Sequence, residues 1–211
     1  MLYKYRGLSN LQFALDIFVR QRLHAADFKS LNDPMEGQYN YERGSLQQWQ
    51  IDEIYGQKNQ YRLVSLSESF NNVLMWSYYA ESHTGMVVGV EITEPDAETV
   101  PIDYVENLNI ELDHDNVAKR ILSKKYALWG HEREHRVFVR RRFVNVAVRE
   151  LYFGIGTKPI VKELVTSIAN HFCSGIQIST LAKDQLDYNG VACVLTPNNP
   201  LDWNSGSGSL K

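Results

Sequence analysis

A chain of 211 residues, 44% hydrophobic and 22% charged, suits one soluble globular domain with a sizeable core. Its formal net charge of −3 excludes a polyanion binder that works by bulk electrostatics, although Arg140, Arg141 and Arg142 form a local basic run.

Leu2 to Tyr5 reads as a short aromatic strand. Ser9 is placed to cap a helix over Asn10 to Arg22, with Leu11, Leu15, Phe18 and Val19 on one face. A strand over Leu23 to Phe28 follows, then a segment dense in turn formers, Asn32-Asp-Pro-Met-Glu-Gly37. A polar helix is predicted over Ser45 to Tyr55, a strand over Tyr61 to Ser67, and a helix over Asn71 to Glu81. Met86 to Ile92 has five apolar residues in seven and reads as a buried strand. Val100 to Val105 reads as a strand and Asn116 to Leu128 as a helix. Glu134 to Phe143 and Val146 to Gly154 read as adjacent strands. Lys158 to Phe172 reads as a helix with Pro159 in its first turn, and Ile176 to Leu181 and Tyr188 to Leu195 as the last strands. Strands in clusters separated by single helices define an α+β fold with mixed or antiparallel sheets. Residues 1–203 form one domain in this reading, and the Gly/Ser-rich residues 204–211 a flexible tail.

Cys173 and Cys193 lack metal-ligand spacing and read as buried thiols in a reducing compartment. Lys4 and Arg6 are followed by polar residues rather than an apolar leader, and no run reaches the length of a bilayer span. The expectation is a cytoplasmic protein with no membrane partner.

The densest chemistry lies in Lys125-Tyr-Ala-Leu-Trp-Gly-His-Glu-Arg-Glu-His-Arg136, which supports two incompatible readings. His131-Glu132-x-x-His135 matches the H-E-x-x-H spelling of a zinc hydrolase, in which two histidines share a helical face and the glutamate polarises water. Its surroundings do not suit a helix. Gly130 precedes it, no apolar residue lies within it, and Val137-Phe-Val139 follows as a β signal. If residues 132 to 138 are extended instead, Glu132, Glu134 and Arg136 share one side and the histidines the other. A surface ion-pair ladder would satisfy that spacing without any function.

Further segments occur in order along the chain: Lys4-Tyr5-Arg6, Asn32-Asp33-Pro34-x-Glu36, Ser65-x-Ser67-Glu68, Met75-Trp76-x-x-Tyr79-x-x-x-His83-x-Gly85, and Trp129-x-x-Glu132-x-Glu134-x-Arg136. Together they resemble, over roughly residues 3 to 155, the mostly bacterial family called the domain of unknown function numbered 2971. A second resemblance, at motif level, is to toxin-type ADP-ribosyltransferases, which carry an Arg on the first strand, an S-x-S strand and an E-x-E pair in that order. Arg6, Ser65-Leu66-Ser67 and Glu132-Arg133-Glu134 follow the same order here. The departures are a predicted helix before Glu132 and a glycine directly after Arg6.

That resemblance implies an ADP-ribosyltransferase-like core that binds NAD as substrate. Glu134 would stabilise the oxocarbenium-like ribose and Glu132 would orient the acceptor. Arg6, beside Tyr5, would take the dinucleotide phosphates, Ser65 or Ser67 would hold the glutamate or ribose, and Trp76 or Tyr79 would stack on nicotinamide. His83 completes the cofactor-binding set, with helix capping as its plain alternative. The implied activity is transfer of ADP-ribose to an acceptor (protein, nucleic acid or small molecule), or NAD hydrolysis, in a toxin or anti-phage setting with a neutralising or activating protein partner. The competing readings are the zinc metallohydrolase and a non-catalytic nucleotide- or protein-sensing module.

Overall fold

The computed structural model describes residues 1–110 and 116–188. An eight-stranded, mostly antiparallel sheet organises the chain. Its strands are β1 (Leu2–Arg6), β2 (Arg22–His24), β3 (Arg62–Ser67), β4 (Met86–Ile92), β5 (Glu98–Pro101), β8 (Glu134–Val139), β9 (Phe143–Phe153) and β10 (Gln177–Thr180). The order is β10-β9-β4-β1-β3-β8-β5, with β2 also paired to β9. Two short parallel strands, β6 (Asp103–Val105) and β7 (Lys124–Tyr126), stand apart. The helices are α1 (Leu11–Arg20), α2 (Gln48–Asn59), α3 (Val73–Tyr79), α4 (Val117–Ile121) and α5 (Pro159–Phe172).

The main core lies between one face of the sheet and helices α1 and α5. Ala14, Ile17 and Phe18 of α1 and Val165 and Ala169 of α5 pack there with Val88, Val144 and Leu151. Alternate residues of the strands supply that face, as the two-residue period requires. A second cluster on Tyr5, Trp76 and Val87 seats α3. Among the described residues no helix is long and apolar enough to cross a membrane, and Cys173 is a buried free thiol.

The sheet is weakest in its middle. β1 pairs with β4 through five residue pairs and β3 with β8 through six, yet β1 and β3 share only Tyr3↔Ser67. Beyond that pair the two strands diverge, and a cleft of about 870 Å³ is lined from both of them.

Several sequence expectations are corrected. β8 and β9 are consecutive but not adjacent, since β3, β1 and β4 lie between them. Residues 140–142 are three arginines, without the Gly or Asn that a tight hairpin needs. The helix expected over Asn116 to Leu128 stops at Ile121, and Lys124–Tyr126 pairs with β6 instead. Tertiary contacts override helix propensity there, because Lys125 is drawn toward three carboxylates. The strand expected over Val100 to Val105 is divided at Ile102, whose N–H reaches Glu134 O. The strand expected over Leu23 to Phe28 ends at His24, and Phe28–Ser30 is a 3-10 turn. Val19 is exposed rather than inward, and Ser9 does not cap α1; its hydroxyl donates to Glu81. The strand expected over Tyr188 to Leu195, Cys193 and the tail lie wholly or almost wholly outside the described residues.

Candidate functional site

Three strands carry the motif residues into one place. In the β3–β8 register, Ser67 lies opposite Glu134 and Ser65 opposite Arg136, so these four side chains share a face of the sheet. β1 borders β3 and brings Lys4 and Arg6 to the same cleft. Glu132 arrives differently from the expectation. It ends a 3-10 turn, Ala127–Glu132, and Arg133 takes a left-handed conformation (φ 43°) before the strand begins at Glu134. That kink still turns both glutamates inward, at 4% and 5% exposure.

Buried charge demands partners, and here it has them. Lys125 Nζ lies 2.6 Å from Glu132 Oε2, 3.2 Å from Glu36 Oε1 and 3.3 Å from Glu134 Oε2. Arg136, wholly buried, donates from Nε to Glu134 Oε1 at 2.8 Å, from Nη1 to Leu122 O at 2.6 Å, and from Nη2 to Glu36. Tyr79 donates its hydroxyl to Glu132 Oε1 at 2.6 Å. Ser67 Oγ donates to the Glu132 carbonyl at 2.7 Å, and Tyr104 OH accepts from the Glu134 N–H at 2.8 Å. The two glutamates are thus held by both backbone and side chain.

The electrostatics follow from this packing. Burial alone would raise the Glu134 carboxyl, but Arg136 and then Lys125 outweigh it, with hydrogen bonds from Arg136 and Ser65, and bring it down to about 2. Burial opposes the Lys125 ammonium, yet Glu134, Glu132 and Glu36 hold it above its ordinary value. Tyr79 is raised by burial and by the Glu132 carboxylate. Lys4 is pushed down to about 8 by burial and then by Arg6, against the pull of Glu134 and Glu132.

The other expected site residues divide. Arg6, Ser65, Ser67 and Tyr79 line the cleft with the glutamates. Tyr5 touches the cleft but is 5% exposed, and its hydroxyl donates to Ser69 O and accepts from the Asn72 N–H. Trp76 is not brought to the cleft. It is fully buried, donates to Phe70 O and packs edge-on against Tyr5. His83 stacks on that indole and contacts Ser77 Oγ. Both belong to the seat of α3 rather than to a ligand surface.

Lys4 and Lys125 have no assigned role in the sequence expectations, and Glu36 enters them only as part of a polar turn bordering a site. For Glu36 and Lys125 there was a signal: both stand at fixed places in the turn and the Lys-to-Arg segment, and both complete the charge cluster. His131 and His135 are not gathered with a third ligand. His131 faces Leu128 O and His135 lies 3.5 Å from Glu68. Among the described residues no group of three His, Cys, Asp or Glu side chains is placed to hold a metal ion. The left-handed Arg133 breaks the continuous helix that H-E-x-x-H chemistry requires.

Comparison of the chain with protein-family models, with curated proteins and with solved structures gives no match.

Proposed function

We propose that this chain is an NAD-dependent ADP-ribosyltransferase, or an NAD glycohydrolase, of the kind its ordered Arg, S-x-S and E-x-E segments resemble, within the family of unknown function described above. The observation that carries the reading is the convergence of Glu132, Glu134, Ser65, Ser67 and Arg6 on one cleft. Three carboxylates there face Lys125 and Arg136 at contact distance and Lys4 on the cleft wall, so the negative field is local to the glutamate oxygens rather than a net charge. A positively charged nicotinamide ring, and the ribose cation formed when its glycosidic bond breaks, are stabilised by such a field. Arg6 supplies a planar fork for phosphate.

The test is release of nicotinamide from NAD by the pure protein, with and without candidate acceptors and partner proteins, compared with Glu134→Gln. We expect turnover that falls by about 10²- to 10³-fold in the variant. NAD that neither binds nor turns over under any of these conditions would sink the reading.

A second reading draws on one specific observation. Both oxygens of Glu134 already receive cationic donors. A carboxylate so fully engaged also suits a module that binds a nucleotide without cleaving it. Bound, intact NAD whose affinity is unchanged in Glu134→Gln would favour that module.

A further inference from the structure

The cleft has a second end, built from β2 and the start of β9. His24 lies directly opposite Phe143 in the β2–β9 register, and their rings meet edge to face at 5.6 Å. Arg22 spreads its guanidinium 3.7 Å over the same ring and is fixed there by two hydrogen bonds to Asp16, at 2.9 and 3.1 Å. Arg142 reaches His24, Nε to Nε2 at 3.4 Å. Its own carbonyl accepts from the Ala25 N–H, which fixes the backbone that carries it.

The charge at this end is unbalanced. Partial desolvation, then the positive charges of Arg142, Arg62 and Arg6, lower the His24 imidazole, and Arg142 is the one of the three in contact with the ring. Arg22 is neutralised by Asp16 and Arg62 by Asp27. Among the described residues neither Arg142 nor Arg6 makes an ion pair at contact distance. Glu81 feels the charge of Arg6 but spends its oxygens on the Leu8 and Ser9 N–H groups. With Glu81 counted beside Arg6, four guanidiniums meet three carboxylates, a formal excess of one positive charge, and it lies at Arg142. Arg6 lines the same cleft as Lys4 and His24, and its charge lowers both.

We infer that Arg142 and His24, beside the Arg22–Phe143 platform, form a phosphate subsite that takes a nucleotide phosphate at the end of the cleft remote from the glutamates. Arg142 offers a fork whose two terminal nitrogens face no carboxylate among the described residues, and His24 gains a proton-stabilising neighbour when an anion arrives. The Arg22–Phe143 platform is already rigid, so an adjacent nucleoside can be held with little ordering of side chains. The phosphate belongs either to the dinucleotide of the proposed reaction or to a separate phosphorylated acceptor. The inference rests on the nucleotide reading of the cleft but not on bond cleavage.

The experiment titrates the full chain with adenosine monophosphate and with adenosine, by calorimetry and by the His24 ring proton resonances. We expect the monophosphate to bind at least ten-fold more tightly, to raise the His24 pKa, and to lose its advantage in Arg142→Gln. His24→Asn, at an exposed strand position, should lower the affinity for the monophosphate alone. Equal affinity for both ligands, or a phosphate advantage that survives Arg142→Gln, overturns the subsite. Saturating NAD then assigns the source: competition means the phosphate is the dinucleotide's, and undiminished binding means it is an acceptor's. Retention of the phosphate advantage in Glu134→Gln separates this site from the proposed chemistry, so a failure of NAD turnover leaves it standing.

Discussion

Lys4 Nζ lies 2.9 Å from the carbonyl oxygen of Ser65, across the gap where β1 and β3 no longer pair. The side chain replaces a missing strand-to-strand hydrogen bond and places an ammonium on the wall of the cleft, near Glu132 and Glu134. Burial and Arg6 lower that ammonium to about 8. At pH 7 roughly one-tenth of Lys4 is then free amine, against about one in three thousand for an ordinary lysine. Trace acylation at pH 7 followed by peptide mass spectrometry should therefore label Lys4 well ahead of exposed lysines, with protection by NAD. Labelling of Lys4 at or below the level of the exposed lysines would show that the cleft does not lower its charge.

Much of this region was legible in the sequence, and the reasons for the gaps are physical. Met86–Ile92 and Pro159–Phe172 could be read because apolar periodicity and a first-turn proline are local signals. The strand beginning at Glu134 could be read because Val137-Phe-Val139 is strongly β-forming. The division of the sheet between β1 and β3 had no such signal, since both strands look continuous. Nor did the fate of Lys125, which lies where a helix pattern predicts a continuing turn and is withdrawn by Glu132 and Glu134 just ahead of it and by the distant Glu36. Trp76 could be read either as a core contact or as a ring for nicotinamide, and the sequence does not choose between them because its burial depends on Tyr5, 71 residues earlier.

The Arg136 cluster should dominate stability. Arg136 is wholly buried and bridges Glu134 and Glu36. Arg136→Met leaves both carboxylates with Lys125 alone, and breaking a buried pair in this way costs about 3–5 kcal/mol. Adding Glu36→Gln should recover part of that loss, because one uncompensated charge is removed. Urea denaturation of the two variants checks both statements; a loss under about 1 kcal/mol in Arg136→Met would show that water reaches the cluster.

Acid should act through Glu134. Its folded pKa, about 2, lies below the ordinary value of 4.5. A lowered carboxyl contributes stability that is fully present above pH 4.5 and is lost as pH falls toward 2, on the order of 3 kcal/mol at most. Glu134→Gln should flatten the dependence of unfolding free energy on pH in that window. An unchanged slope would mean that other carboxylates carry the acid sensitivity.

The histidines separate the zinc reading from the glutamate reading. His131 and His135 sit on either side of a left-handed residue, and Glu132 is engaged by Lys125 and Tyr79. His131→Ala and His135→Ala should each leave metal content and nicotinamide release within about two-fold of the parent protein. Stoichiometric zinc in the parent that disappears in His131→Ala would restore the metallohydrolase.

The turn after α3 sets the place of Arg6. Glu81, Ser82 and His83 are all left-handed, with φ of 48°, 50° and 66°. Such residues are strained and persist only where their surroundings hold them. Gly85 ends the turn, with its N–H on Ala80 O and its carbonyl accepting from the Gly154 N–H. A Cβ on Gly85 would stand 2.4 Å from Arg6 O and 2.8 Å from Ala80 O, both backbone atoms that no rotamer change can move. Gly85→Ala must therefore push β1 away at Arg6, at a cost of about 1–3 kcal/mol. Gly56, inside α2, has open space where its Cβ would lie. Gly56→Ala should instead stabilise by roughly 0.5–1 kcal/mol through helix propensity. Denaturation curves should show these opposite signs, and NAD affinity should fall only in Gly85→Ala. Equal stability of the two variants would mean that the β1–α3 contact yields without displacing Arg6.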